Sequence, residues 1–176
     1  VSLIESSALY FSRADCLGDP FEGSYSQGNI DMRPVIYKDV EKPDGIFANM
    51  ARMAKWAREW TLINCWHLNQ HESAAMWKLY AKSDDAIAIV STYQKLVDCL
   101  PQRAFIGLVQ YIDYDRDWLP EGNSLYPFVH KRQSFEHERE VRAVIQEFPV
   151  ENDAIPVGKT NPDCGAMVPV QLPALI

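Results

Sequence analysis

The chain has 176 residues, an apolar fraction of 47%, a charged fraction of 23% and a net charge of −7. That length suits one domain with a sizeable core, and five Trp with eight Tyr supply apolar area that has to be buried, which excludes a disordered chain. The acidic balance excludes a nonspecific nucleic-acid binder, which needs a basic footprint.

In chain order, "ALYFS" (Ala8 to Ser12) alternates and is β-prone, so it predicts a strand. "RADCLGDPFEGSYSQGN" has the Gly, Asp-Pro and Asn chemistry of a loop, with Phe21 as its anchor. From Gly45 to Trp60 the apolar positions Ile46, Met50, Met53, Ala57 and Trp60 recur at helical spacing. "LINCWHL" reads as a strand. Ser73 reads as the N-cap of a helix over "AAMWKLYAK", whose Ser73, Met76, Trp77 and Tyr80 share one stripe. "AIAIVST" predicts a short buried strand, and "YQKLVDCL" a short helix stopped by Pro101. "AFIGLVQYIDY" is apolar on both faces and predicts the longest strand, placed mid-sheet. "SLYPFVHKRQS" reads as a short helix or irregular turn, and "EVRAVIQEF" as a strand. Residues 149–166 read as an exposed loop. "AMVPVQL" fits an edge strand, where Pro169 is tolerated. Strands and helices mix without strict alternation. The expected class is α+β: a single domain over residues 1–176 with a mixed, mainly antiparallel sheet flanked by helices.

Cys16, Cys65, Cys99 and Cys164 are widely spaced and contain no C-x-x-C pair, so no zinc ribbon is expected. Two disulfides would suit a secreted chain. Buried or idle thiols in a cytoplasmic protein are the expectation here. "VSLIESSALYF" lacks a basic n-region and is broken by Glu5, so it does not read as a secretory leader. No run approaches the ~20 apolar residues of a membrane span, so no membrane partner is expected. The start on Val1 and the half-finished apolar "VQLPALI" lead us to expect a parent protein extending beyond both ends.

The segment "SFEHEREVRAVIQEF" poses the functional question. If Glu140 to Phe148 is a strand, then Glu138, Glu140 and Arg142 project to one side. Two carboxylates that close raise the pKa of one of them, which suits a general base or a sugar-hydroxyl ligand. The same spacing fits a salt-bridged strand start with Lys131, Arg132 and Arg139 as counter-ions. His67 and His71 are four apart, but a strand end and loop spoil the helical geometry that would let them share a metal. Trp77 and Tyr80 fit either core packing or an aromatic wall for a flat ring. "GDPFEG" reads as an Asx-type turn at Asp19 or as a loop closing over a pocket. Walker A, G-x-G-x-x-G and G-x-S-x-G motifs are missing, so catalysis would rest on carboxylates and binding geometry.

Three segments in order carry a resemblance. These are "LYFSRADCLGDPFEG", "CWHLNQHESAAMWKLYAKSDDAIAI" and "SFEHEREVRAVI". Asp19, Pro20 and Phe21 match an Asp-Pro-Phe element. Met76, Trp77, Tyr80 and Ala81 match a Met-Trp-x-x-Tyr-Ala helix. Phe135, His137, Glu138, Glu140 and Arg142 match an aromatic-x-[Tyr/His]-Glu-x-Glu-x-Arg element, with Phe135 where relatives carry Trp. Together they resemble the bacterial family of domain of unknown function 2971, over about Leu9 to Ile145. That resemblance names a family without naming a reaction.

The layout is also similar, more loosely, to ADP-ribosyltransferases. That analogy implies Glu140 as the principal catalytic acid and Glu138 as its partner. Trp77 and Tyr80, with Ser73 on the same helix, would wall the nicotinamide of NAD. Arg13 would meet the phosphates, and Arg142 and Asp19 are further candidate substrate-binding residues. NAD is then a substrate, with no tightly bound cofactor and no metal. Three readings follow: an NAD-using transferase or glycohydrolase-like enzyme (a toxin or defence effector), a non-catalytic protein- or nucleotide-binding module, and, last, a metal-dependent hydrolase using His67 and His71.

Overall fold

Alternation in "ALYFSR" makes β1 (Ala8–Arg13), which follows a single-turn helix α1 (Ser2–Ser6). These positions come from a computed structural model that describes every residue except 1, 42, 82 and 84. The loop predicted after β1 runs only to Ser26, whose hydroxyl accepts from the Asn29 N–H and starts α2 (Gln27–Ile36). Sequence reading gave no helix here. Its signal was the Ser-x-x-Asn cap, masked by a Gly and an internal Pro34. The first turn of α2 lies so close to the next loop that a Cβ on Gly28 would meet the Arg116 carbonyl oxygen at 2.4 Å.

The predicted long helix is α3 (Pro43–Ala57), which tightens into a 3₁₀ turn over Arg58–Trp60 before β2 (Thr61–His67). Ser73 caps α4 (Ala74–Tyr80) by accepting from the Met76 N–H at 3.4 Å, as its position predicted. Thr92 caps α5 (Tyr93–Cys99) in the same way.

Two strand expectations need correcting. "AFIGLVQYIDY" is not one central strand but β3 (Phe105–Leu108) and β4 (Gln110–Ile112), split at Val109. The Val109 N–H still donates to the Glu140 carbonyl, and then the chain leaves the sheet. β4 pairs in parallel with β5 (His130–Arg132) instead. β3 is an edge strand, with Phe105 57% and Leu108 63% exposed. "AIAIVST" forms no described strand, and Ile87 and Val90 are exposed. Its residues have strand propensity, but a strand also needs a non-local edge to pair with.

The remaining elements are β6 (Glu140–Gln146), β7 (Gly165–Pro169) and α6 (Leu172–Leu175). The main sheet has the order β3-β6-β2-β1-β7, and every neighbouring pair in it is antiparallel. With the small parallel pair this is a single α+β domain of the expected class. β7 is an edge strand and Pro169 ends it, as expected.

β6 lies in the interior of the sheet and is buried from Glu140 to Ile145. Val141, Ala143 and Ile145 point to one face, where they pack with Leu9, Phe11 and Val168 under α5 and α6. Burying such side chains stabilises by about 1.5–3 kcal/mol for each large one. On the opposite face Val144 joins Ile63, Ala57 and Phe128 in a smaller apolar cluster. Glu140 and Arg142 share that second face, so the charged residues of β6 point beneath a cover of loops.

The thiol expectation is also corrected: Cys16 and Cys164 form a disulfide, with Cα atoms 5.8 Å apart, that ties the turn after β1 to the start of β7. The pairing of β1 with β7 brings these ends together, a juxtaposition that spacing alone does not reveal. Cys65 and Cys99 are free. No helix among the described residues is long and apolar enough to cross a membrane.

Candidate functional site

The chain approaches β6 through a 3₁₀ turn, Gln133–Glu138, and then Arg139 in the left-handed region (φ 42°). Glu138 therefore precedes the strand, and simple β alternation does not set its direction. Its carboxyl meets that of Glu140 directly, and Lys131 on β5 bridges the two. Lys131 Nζ donates to Glu138 Oε2 and, at 2.6 Å, to Glu140 Oε1. The Phe135 ring lies 4.5 Å from that ammonium, so the aromatic of the last motif covers the cation.

Behind this bridge stands Arg142, with no solvent exposure. Its Nε donates to Glu140 Oε2 at 2.6 Å, and its two terminal nitrogens grip the Glu22 carboxylate, Nη2 to Oε2 at 3.0 Å. Nη1 also donates to the Phe128 carbonyl at 2.9 Å. The Tyr111 hydroxyl accepts from the Glu140 N–H at 2.8 Å. Arg142 thus joins the loop after β1 to the middle of the sheet. Burial on this scale is tolerated because each charge has an opposite partner and further hydrogen bonds.

Three carboxylates (Glu22, Glu138 and Glu140) face two cations, Lys131 and Arg142, leaving one negative charge in excess. The two sequence-predicted acids respond in opposite ways. Burial would push the Glu140 carboxyl up, but its hydrogen bond with Glu138 and the Arg142 guanidinium outweigh it and hold it well below the ordinary range. Burial raises the Glu138 carboxyl, and Glu140 pushes it the same way, more than Lys131 pulls it down. The Lys131 ammonium is raised: burial disfavours its charge, but the two carboxylates more than compensate.

Glu138 is the member of this cluster that faces outward. Tyr80 of α4 brings its hydroxyl 3.4 Å from Glu138 Oε1, and burial with the Glu138 charge pushes that phenol up to about 12. His67, at the end of β2, places Nδ1 2.6 Å from the Glu138 carbonyl oxygen. Tyr80 and His67 also line a cleft of about 450 Å³ with Trp66, Trp77, Ser73 and Ile87. Trp77 donates from Nε1 to Glu72 at 3.3 Å. Tyr80 therefore links the cleft wall to the Glu138 carboxylate. Neither Glu138 nor Glu140 lines the cleft, and Glu140 is the more buried of the two.

The other expected residues are engaged elsewhere. Arg142 is sealed among its partners. Asp19 is buried, accepts from the Phe21 N–H at 3.0 Å as an Asx turn does, and pairs with Arg132 Nη2 at 2.9 Å. Phe21 stacks over that guanidinium, centroid 4.5 Å away. Arg13 pairs with Asp15 and bonds the Asn161 carbonyl beside the disulfide, away from the cleft. Sequence reading gave Glu22 and Lys131 only as an extra acid and a counter-ion, and gave Tyr111 no role. The signal for Glu22 was an acid beside a structured turn, but its partner lies 120 residues away. Among the described residues no cluster of three or more His, Cys, Asp or Glu is arranged to hold a metal. Comparison with protein-family models, with curated proteins and with solved structures finds no match to this chain.

Proposed function

We propose that this domain is a member of the family of domain of unknown function 2971 and that it cleaves the nicotinamide–ribose bond of NAD, as a transferase or glycohydrolase. The observation that carries the reading is the hydrogen bond from Tyr80, a residue of the aromatic cleft wall, to the Glu138 carboxylate. Departure of nicotinamide leaves positive charge on the ribose. A fixed carboxylate in a partly dry site stabilises that charge where it develops. Glu138 is the reacting acid in this assignment. Glu140, held ionised by Arg142 and Lys131, positions Lys131 and so fixes Glu138. This reverses the order that the layout analogy implies, because the carboxylate of Glu138, and not that of Glu140, bonds a residue of the cleft wall. Trp77 and Tyr80 hold the ring. A toxin or defence role would follow from consuming NAD in the cytoplasm. The Cys16–Cys164 bridge is the feature that speaks instead for an oxidising compartment.

Incubation with NAD and chromatography for free nicotinamide tests the reading. Glu138→Gln is expected to lower release by about 10²-fold or more, with little change in thermal midpoint. Release by the variant at the wild-type rate would remove Glu138 from the chemistry.

A second reading, a non-catalytic protein- or nucleotide-binding module, is favoured by one feature. Lys131 and Arg142 each span two carboxylates, as a purely structural strut would. Nucleotide binding with no nicotinamide release, under conditions where the fold is intact, would select it.

A further inference from the structure

Three aromatic side chains of the cleft wall have their polar edges committed. The Trp66 N–H donates to Asn64 Oδ1 at 2.6 Å, the Trp77 N–H to Glu72 Oε2 at 3.3 Å, and the Tyr80 O–H to Glu138 Oε1 at 3.4 Å. A ring that gives its one polar hydrogen to an acceptor is left with a more electron-rich face. Tyr80 is 67% exposed and the two indoles are half-buried, so all three rings are open to a ligand. Their faces are unclaimed by the protein. Elsewhere Lys131, Arg33 and Arg132 lie over the Phe135, Tyr25 and Phe21 rings. Among the described residues no cation and no second ring lies over Trp66, Trp77 or Tyr80. No Lys or Arg is among the described residues of the cleft wall, and Glu72 places a carboxylate on it. Such a wall attracts positive charge. A small hydrated ion gains little from ring faces. A large, weakly hydrated organic cation gains both the ring attraction and the burial of its apolar surface.

We propose that this cleft binds an organic cation, a ring or alkyl nitrogen with a fixed positive charge, against the faces of Trp66, Trp77 and Tyr80. The cation site does not depend on the NAD reading, which requires a bond to be cleaved. The N-alkyl pyridinium of NAD is one source of such a cation, and a quaternary ammonium is another. Both offer the rings the same thing: a charge spread over a surface too apolar to hold water tightly.

The test is calorimetry on the intact chain at fixed ionic strength and about pH 8, where an ordinary imidazole is neutral. Each cation is compared with a neutral counterpart of similar shape: ring-N-methylated nicotinamide with nicotinamide, and choline with dimethylbutanol, its carbon isostere. A preference of about tenfold or more for the cation is expected in at least one pair, the scale of a desolvated cation–ring contact. The pair that shows it identifies the source. Trp77→Leu keeps apolar volume but removes the ring face. It is expected to abolish the preference and to leave binding of the neutral compound unchanged. If Trp77→Leu does not fold, Tyr80→Leu at an exposed position makes the same comparison. Equal affinities within both pairs, or no binding of either cation, overturns the proposal. So does a preference that survives both substitutions. Nicotinamide release from NAD without a cation preference removes this inference and keeps the catalytic one. A cation preference without release does the reverse.

Discussion

Arg142 Nε lies 2.6 Å from Glu140 Oε2, joining two residues that alternate onto the same face of β6. The same carboxylate holds Lys131 with its other oxygen. Glu140 is therefore the joint of the buried network, and Glu138 is its outer branch. Removing the joint should be felt in the fold. Glu140→Gln leaves an amide whose NH₂ must face one of the two cations. We expect it to cost about 3 kcal/mol, at the lower end of what breaking a buried pair costs. Glu138→Gln leaves Lys131 with Glu140 and should cost less, about 1 kcal/mol, the net worth of one hydrogen bond. Urea unfolding of the two variants checks the order. Equal losses would mean that the two acids share one structural role.

Arg142→Met makes the complementary test. It leaves Glu22, Glu138 and Glu140 with Lys131 as their one cation in the network. The expected loss is about 3–5 kcal/mol, enough to unfold a marginal domain. Pairing it with Glu22→Gln removes one stranded carboxylate and should recover part of that loss. A double-mutant cycle by denaturant titration reads the coupling.

Acid should weaken the domain for a definite reason. The folded Glu140 carboxyl lies below its ordinary value of 4.5. Its contribution is complete above that value and is lost as pH falls toward the folded value. Glu138 is raised above 4.5, so its term has the opposite sign: it favours the fold below 4.5 and fades as pH rises through its folded value. Glu140 is the more buried, so the net expectation is a urea midpoint that drops as pH falls below about 4.5. Glu140→Gln should flatten that drop. A variant that falls as steeply as wild type would move the acid sensitivity elsewhere.

The disulfide has a separate signature. Cys16 and Cys164 are 148 residues apart, so the bond restricts most of the unfolded chain. Chain-entropy reasoning gives a stabilisation of up to about 5 kcal/mol, with 2–4 typical. In the folded state β1 and β7 are also held by ladder pairing from Ala8↔Pro169 to Ser12↔Gly165. Cys16→Ser with Cys164→Ser is thus expected to keep the native circular dichroism spectrum while lowering the urea midpoint. A change in the folded spectrum would show that the bridge shapes the sheet as well as restraining the unfolded chain.

Local chemistry made much of this fold legible in advance. The 3.6-residue period of Ile46 to Trp60 marked α3, the Ser73 hydroxyl marked the start of α4, and Pro169 marked β7 as an edge. The helix α2 was lost because Gly28 and Pro34 lower local propensity. A buried Asn29, bonded to both the N–H and the carbonyl of Leu119, holds it in place from outside the segment.

The site divides along the same line. The sequence by itself determined that two acids, an arginine and a Trp–Tyr helix face exist in order, and that a strand follows the acids, because those depend on residue type and short-range period. Tertiary structure alone decided which acid faces out, that Glu22 closes on Arg142 across 120 positions, and that the residue bridging both acids is Lys131. Those outcomes depend on charges brought together through the β2–β6 and β4–β5 pairings. The strength of such contacts is set by burial and by partners distant in the chain, which no local pattern encodes.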